Sequence, residues 1–246
     1  MKNILVGISN YRNHQLDFMC EVIEEYLSFE SFNVDIEIFS TVKLNKYDDY
    51  ENINQYLYDE DIGKKLSHEP RIKSLFTKYP SYDVIIYNEN DTILTENTIK
   101  NWYEHNKLLP SDYVCGLLRY EILNDNRLLI DMHKDDGQQA HGLVNEVYEI
   151  GDHNYFSVDN VHQGGWVLSN KQIYKLVMEN NIKFGDSLEC ACSNVYYSNK
   201  WPGSFGGLKK VIPTDFENFT VHHLPNKYVG MDDNWTSFEE LMEILK

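Results

Sequence analysis

The sequence predicts an α/β protein built on a mostly parallel β-sheet. Two continuous apolar runs, Ile4–Ile8 and Val34–Phe39, are typical of buried strands. The segment between them has the apolar spacing of an amphipathic helix, with Leu16, Met19, Cys20, Ile23 and Leu27 on one face. A strand, a helix and a second strand in this order indicate a right-handed crossover between parallel strands. A further apolar run, Val84–Ile86, predicts another buried strand.

The remaining elements follow from the same patterns. Further helices are predicted over Pro70–Lys78, Glu96–Leu108, Asn170–Asn180, Asp186–Asn194 and Phe238–Leu245. Further strands are predicted over Tyr113–Tyr120, Arg127–Met132, Val147–Ile150 and Phe219–Leu224, the first two paired through Asn124-Asp125-Asn126. Residues 42–62, rich in Asp, Asn and Tyr, predict a loop or lid, and the Pro/Gly-rich run Trp201–Gly207 predicts a loop. Because there is no internal repeat or linker, we expect one domain over residues 1–246.

Composition and charge exclude some classes of protein. The 246 residues are 42% hydrophobic and 13% aromatic, which is typical of a packed globular chain. The net charge of −17 argues against nucleic acid as a partner, because nucleic-acid binders present basic stripes. An acidic protein still binds a single nucleotide when a few local cations contact the phosphates.

The cysteines and the hydropathy predict a cytoplasmic protein. Cys20, Cys115, Cys190 and Cys192 are few for the length, and we expect them to be reduced, mostly buried and non-catalytic. The Cys190-x-Cys192 pair lacks the two-residue step of common zinc sites. No apolar run is long enough for a signal peptide or a membrane span.

An acidic turn follows the strand at Val84–Ile86. In an open α/β sheet, ligands bind at the carboxyl ends of the strands. Glu89 and Asp91 in this turn are candidates to hold Mg²⁺ or Mn²⁺, which take oxygen ligands. The alternative is a polar turn in which Asp91 or Thr92 lies near a helix N-cap. The first strand lacks the Gly-x-Gly-x-x-Gly turn of dinucleotide-binding proteins, which argues against an NAD-dependent enzyme.

A second polar cluster lies between Asp131 and His141. It contains His133, Asp135, Asp136 and His141 around Gly137 and is a candidate second metal cluster, but the spacing does not indicate a particular site and favours a solvated loop.

Five short segments, taken in order, resemble one family. They are His68-Glu69-Pro70-Arg71, Glu89-Asn90-Asp91, His162-Gln163-Gly164-Gly165-Trp166, Leu188–Ser193 and Val221–Tyr228. The set resembles the metal-dependent GT-A glycosyltransferases of the nucleotide-diphospho-sugar transferase superfamily, in a small soluble viral or cytosolic type distantly similar to exostosin-like enzymes. The resemblance implies a Rossmann-like, mostly parallel sheet flanked by helices, with a smaller mixed β portion on the acceptor side. It further implies a nucleotide-sugar half over residues 1–108 and an acceptor half over 109–246.

The resemblance also implies roles for individual residues. Glu89-Asn90-Asp91 takes the place of the family's D-x-D motif, with Glu for the first Asp. The metal, Mn²⁺ or Mg²⁺, is expected at Asp91 and Glu89, although Glu89 alternatively contacts the nucleotide ribose through water. One of His222 and His223, with His223 favoured, completes the site, because adjacent strand residues point to opposite faces. The residues expected at the donor are Asn10, Arg12, His68, Arg71, Asn90 and Lys227.

Catalytic and acceptor residues follow in the same way. Glu189, with Asp186 second, is the candidate general base for an inverting transfer. Asp186 alternatively caps a helix, and in a retaining transfer Glu189 becomes an acceptor contact. His162, Gly165 and Trp166 are expected on the acceptor side, with Trp166 either stacked on a sugar or packed in the core.

The function predicted from the sequence is transfer of a sugar from a nucleoside-diphosphate sugar, in the first instance UDP-linked, to a hydroxyl of a glycan or protein. Two alternatives stay open. One is a metal-dependent hydrolase or nucleotidylyltransferase that uses His133, Asp135 and His141 with the acidic turn. The other is a non-catalytic nucleotide-sugar-binding protein.

Overall fold

Three β-sheets and five α-helices make up the part of the chain that the computed structural model describes. That part comprises residues 1–13, 15–59, 68–133, 144–179, 192–198, 206–229 and 235–246. The protein is a mixed α/β protein, as the sequence predicts.

The first sheet contains the apolar strands found in the N-terminal part of the sequence. Its strands are β1 (Lys2–Asn10), β2 (Phe32–Ser40), β3 (Ile53–Leu57), β4 (Val84–Glu89) and β11 (Gly165–Ser169). They lie in the order β11-β4-β1-β2-β3, with β1 to β4 parallel and β11 antiparallel to β4. Every residue of β4 is buried. Because both faces of the strand are covered, its sequence begins as a continuous apolar run and does not alternate between apolar and polar residues.

The winding of this sheet changes direction at β1. The chain moves outward from β1 to β2 and β3, the first step through helix α1 (Leu16–Leu27), and then returns through α2 (His68–Lys78) to place β4 on the other side of β1. Leu75 of α2 packs over Gly7 of β1, where an added Cβ would lie 2.6 Å from the leucine Cδ1. The carboxyl ends of β1 and β4 therefore form the switch point at which open α/β sheets bind ligands.

Two further sheets complete the fold. The second has the order β6-β12-β10-β9 and consists of β6 (Tyr113–Cys115), β12 (Lys209–Pro213), β10 (His153–Val158) and β9 (Val144–Ile150). The third has the order β14-β8-β7-β13-β5 and consists of β14 (Trp235–Ser237), β8 (Asn126–His133), β7 (Leu118–Leu123), β13 (Thr220–His223) and β5 (Thr92–Ile93). The remaining helices are α3 (Glu96–Asn106), α4 (Asn170–Met178) and α5 (Phe238–Ile244).

Two predictions of local structure are wrong. The predicted loop over residues 42–62 contains β3, an edge strand in which Asn54 and Gln55 dilute the apolar pattern. The predicted strand Tyr113–Tyr120 is two strands in different sheets, because the chain crosses between the sheets at Gly116. The hairpin at Asn124-Asp125 is confirmed, and both residues have the positive φ, 50° and 66°, of a tight hairpin turn.

Other predicted segments lie largely outside the described residues. These are the helix over Asp186–Asn194 and the loop over Trp201–Gly207. None of the helices in the described ranges is long and apolar enough to cross a membrane.

Candidate functional site

The ends of the three central parallel strands are joined by asparagine side chains. Asn90, just after β4, donates from Nδ2 to Oδ1 of Asn10 at the end of β1, over 2.8 Å. Asn10 in turn donates to Oγ of Ser40 at the end of β2, over 2.9 Å. The strand ends at the switch point are therefore held in register by direct hydrogen bonds.

Asp91 faces His223 across this end of the sheet. Its Oδ2 accepts a hydrogen bond of 2.7 Å from Nε2 of Gln15 and lies 3.4 Å from Nε2 of His223. The cause is strand pairing, because β13 runs antiparallel to β5 and places His223 opposite Thr92, the residue after Asp91. The register of β13 therefore brings His223 beside Asp91.

Glu121 of β7 holds the His223 ring from the other side. Its Oε1 contacts Nδ1 of His223, and its Oε2 accepts hydrogen bonds from the backbone N–H groups of Tyr228 (2.8 Å) and Val229 (2.9 Å). Glu121 is fully buried, so its carboxylate has few alternatives to these three partners. The result is a continuous chain of contacts from Glu121 through His223 to Asp91.

The charged forms of Glu121, His223 and Asp91 stabilise one another. Burial disfavours a charged His223, but its hydrogen bonds to Asp91 and Glu121 raise the pKa of the imidazole above its ordinary value. Burial likewise opposes ionisation of Asp91 and Glu121, while their hydrogen bonds to His223 lower the pKa of both carboxyl groups. Both carboxylates are therefore ionised at neutral pH.

The donor set at Asp91 and His223 fits the cation that the resemblance implies. A carboxylate oxygen and an imidazole Nε2 face each other, and imidazole is a better ligand for Mn²⁺ than for Mg²⁺. A carboxylate on the far nitrogen, as Glu121 provides, is the usual partner of a metal-binding histidine because it fixes the ring and the tautomer.

Glu89 lies in a different environment from Asp91. One of its oxygens, Oε2, is 3.6 Å from Nη1 of Arg119, and Arg119 is held by two hydrogen bonds, of 2.9 and 2.7 Å, to Asp131. Burial raises the pKa of Glu89, although the charge of Arg119 opposes that shift. Among the described residues, one group of three ligand-type side chains has donor atoms within 4.8 Å of one another, and it joins Glu89 to His162 and Cys192, not to Asp91.

His222 points away from this site. Its ring is stacked on Tyr120, with centroids 4.9 Å apart and an interplanar angle of 9°, and burial lowers its pKa. Of the two histidines, the structure therefore brings His223 to Asp91.

The predicted acceptor residues lie inside the protein. Trp166 is 1% exposed and packs against Tyr87 and Phe76, with ring centroids 5.7 and 5.5 Å away. This is the core-packing alternative, which leaves no ring face for a sugar. Gly165 is required by packing, because an added Cβ would lie 2.0 Å from the Tyr87 carbonyl oxygen. Burial lowers the pKa of His162 to about 3, so its imidazole is neutral.

Two of the predicted donor-binding cations lie near the switch point. Arg12 has a left-handed backbone (φ 61°), and its guanidinium lies over the ring of Tyr11, 4.9 Å from the centroid. Lys227 is exposed, lies 4.9 Å over the ring of Tyr228, and its charge lowers the pKa of Asp91.

Several predicted residues cannot be placed by side chain. His68 and Arg71 lie in the first turns of α2, but their side chains, like that of His133, are outside the described set. Also outside the described residues are Asp135, Asp136, His141, Asp186 and Glu189.

A cavity of about 560 Å³ opens between β9, β10 and β12. Its lining is polar and aromatic, including Tyr148, Asp159 and Tyr197. Val161 and Lys210 also line it, and Lys210 is hydrogen-bonded at 3.4 Å to the carbonyl oxygen of His162. The cavity therefore adjoins the buried cluster around Glu89.

Sequence reasoning missed Gln15, Glu121, and the Arg119–Asp131 pair. The available signal was the pattern of β7, where Arg119 and Glu121 share a face of a strand whose other face is also partly buried. Two charged residues on one face of a buried strand need partners of opposite charge or hydrogen-bonding groups. Those partners come from neighbouring strands, which the sequence alone does not identify.

No protein-family model matches the chain, and none of the curated proteins matches it. Among solved structures, the chain is similar to a crystal structure of S. aureus TarS (1-349), with 12% sequence identity and a TM-score of 0.46. The match covers 100% of this chain and 64% of that one, so this chain spans less than two thirds of its length. A likeness of this degree does not show a shared family or activity.

Proposed function

We propose that the protein is a metal-dependent glycosyltransferase that moves a sugar from a nucleoside-diphosphate sugar, in the first instance UDP-linked, to a hydroxyl acceptor. The observation that carries the proposal is the Glu121–His223–Asp91 chain at the switch point of the first sheet. An oriented imidazole and a carboxylate at this place are suited to a cation with open positions for phosphate oxygens.

The donor binds in the crevice at the carboxyl ends of β1 and β4. Asn90, which is partly exposed and is held by its hydrogen bond to the buried Asn10, offers its amide oxygen to the nucleoside. Arg12 and the exposed Lys227 flank the diphosphate, which is the usual role of cations beside phosphates. Asp91 and His223 would hold a Mn²⁺ or Mg²⁺ ion, whose positive charge would stabilise the leaving diphosphate.

The acceptor binds on the side of the second sheet. The cavity lined by Tyr148, Asp159 and Tyr197 offers aromatic and carboxylate groups of the kind that recognise a glycan. If the transfer inverts the anomeric carbon, Glu189, with Asp186 second, is our candidate to take the proton of the acceptor hydroxyl. If it retains configuration, Glu189 contacts the acceptor instead.

The test of the donor is a thermal-shift panel. UDP, GDP and CMP are each added with and without Mn²⁺, and we expect stabilisation by one nucleotide that requires the metal. Stabilisation without turnover of any donor sugar would instead favour a non-catalytic binding protein.

The test of the cation site is a pair of variants. We expect Asp91→Ala to lower the rate of donor hydrolysis or transfer by about 100-fold or more. This is the usual loss of rate when an enzyme loses a group that stabilises charge in the transition state. His222→Ala, one position along the same strand from His223 but stacked away from the site, is the matched control and should retain activity. Full activity in Asp91→Ala would contradict the assignment.

A further inference from the structure

A buried cluster of mixed chemistry lies beside the proposed donor site. Glu89 ends β4, His162 precedes β11, and Cys192 lies in a separate segment close to both. The three residues are 8%, 4% and 0% exposed, and one ligand atom from each lies within 4.8 Å of the others. An oxygen, a nitrogen and a sulfur from distant parts of the sequence thus converge inside the protein.

The two oxygens of the Glu89 carboxylate have different neighbours. Its Oε2 faces Arg119, whereas its Oε1 lies 3.4 Å from Sγ of Cys192 and 3.9 Å from Nε2 of His162. The Oε1, Sγ and Nε2 atoms therefore lie close enough together to contact one ion, while Oε2 faces Arg119. The backbone N–H of Gly164 donates a long hydrogen bond of 3.4 Å to Nδ1 of His162, so an ion at Nε2 would move the ring proton to Nδ1 and break this bond.

The charges of the cluster match a dication. Arg119 would oppose a cation, but its two hydrogen bonds to the buried carboxylate of Asp131 neutralise it locally. A Glu89 carboxylate, a Cys192 thiolate and a neutral His162 together carry two negative charges, so a divalent ion makes the buried site neutral overall.

We propose that Glu89, His162 and Cys192 form a zinc site, separate from the cation site at Asp91 and His223. Carboxylate, imidazole and thiolate are the three zinc ligand types, and three protein ligands are enough for a tetrahedral site with one position for water or another group. On binding, the thiol proton, and the carboxyl proton where present, pass to solvent. The ion ties the end of β4 to the segment that enters β11 and to the segment around Cys192.

The test uses Co²⁺ as a spectroscopic substitute for Zn²⁺ in the full chain after treatment with a chelator. Thiolate ligation gives a charge-transfer band in the near ultraviolet that oxygen and nitrogen ligands do not give. We expect the intensity of this band to saturate at one Co²⁺ per chain. Added Zn²⁺ should compete for the site and remove the band.

Variants assign the ligands. Cys192→Ser should abolish the band, while Cys115→Ser, a matched change of another buried cysteine outside the cluster, should keep it. Glu89→Gln, which preserves the side-chain shape, and His162→Ala should each weaken metal binding by about 10-fold or more. Substitution of a residue that only supports a metal ligand already costs about 10-fold, so loss of a ligand itself should cost at least as much. Circular dichroism verifies folding of each variant.

The outcomes separate this proposal from the proposed function. Asp91→Ala should keep the band even where it abolishes transfer, because Asp91 belongs to the other site. Absence of the band in the wild-type chain, or its survival in Cys192→Ser, would overturn the zinc site without affecting the glycosyltransferase proposal.

Discussion

At the scale of single residues, Glu89 and Asp91 are separated by one residue but have different partners. Glu89 is the last residue of β4 and is directed into the buried Arg119, His162 and Cys192 cluster. Asp91 lies in the following turn, opposite His223. The pair suggested by the sequence therefore divides between two candidate sites because the strand ends between its members.

Glu121 is the residue that orients His223, and Glu121→Gln tests this role. Loss of the carboxylate removes the acceptor on Nδ1, so we expect Mn²⁺ affinity to fall by about 10- to 100-fold. Calorimetric titration of Mn²⁺ in the presence of the stabilising nucleotide measures the change. Glu149→Gln, at an exposed carboxylate of β9, is the control and should bind Mn²⁺ as the wild type does. Unchanged affinity in Glu121→Gln would show that His223 is oriented without it.

At the scale of elements, the register of β13 selects His223 over His222. In the third sheet, β13 lies between β7 and β5. As in any strand, its successive side chains point to opposite faces of the sheet. His222 pairs with Tyr120 and stacks on its ring, whereas His223 turns toward Asp91 and Glu121. The periodicity of a strand predicts that one histidine is chosen, but the neighbouring strands decide which one.

The close approach of β11 to β4 gives a second prediction. Gly165 has φ 155°, and a Cβ there would lie 2.0 Å from the Tyr87 carbonyl oxygen, so Gly165→Ala has to displace backbone. We expect a loss of unfolding free energy of about 3 kcal/mol or more, in the range of severe core substitutions.

Gly151→Ala is the matched control for Gly165→Ala. Gly151 also has a positive φ, 63°, but an added Cβ meets nothing within 4 Å. Its cost should be about 1 kcal/mol, since only backbone strain is added. Urea unfolding measures both variants, and equal effects would contradict the packing explanation.

At the scale of the whole molecule, a buried lysine makes global stability depend on pH. Lys210 is buried between β12 and the segment around Val161, and burial lowers its pKa from 10.5 to about 7. Above about pH 7 the folded protein has lost this proton, while the unfolded chain still holds it until about pH 10. Because the unfolded state binds more protons in this window, stability rises with pH there.

Lys210→Met should remove this dependence. From about pH 7.5 to 9 the unfolding free energy of the wild type should rise relative to that of the variant by about 1.4 kcal/mol per pH unit. Urea unfolding at several pH values measures the slope. Lys209→Met, at the adjacent exposed position of β12, should keep the wild-type slope. A constant difference between wild type and Lys210→Met across the window would show that Lys210 stays protonated in the folded protein.

The sequence by itself predicted four elements of the N-terminal half and the acidic turn after β4, but not β3. Apolar periodicity predicted β1, α1, β2 and β4, because a buried strand or helix needs an apolar run or stripe whatever its neighbours are. The acidic turn followed from the abrupt end of the β4 run.

Only the tertiary structure decided which side chains meet. Glu121 and Arg119 lie on β7, Asp131 lies on β8, and Gln15 is the residue before α1. Their contacts depend on strand order and register, which have no local signature in the sequence. The sequence leaves open whether Trp166 stacks on a sugar or packs in the core. The pairing of β11 with β4 encloses its ring in the core. Periodicity reports that a side chain is buried, but contacts between segments far apart in the chain decide what it is buried against.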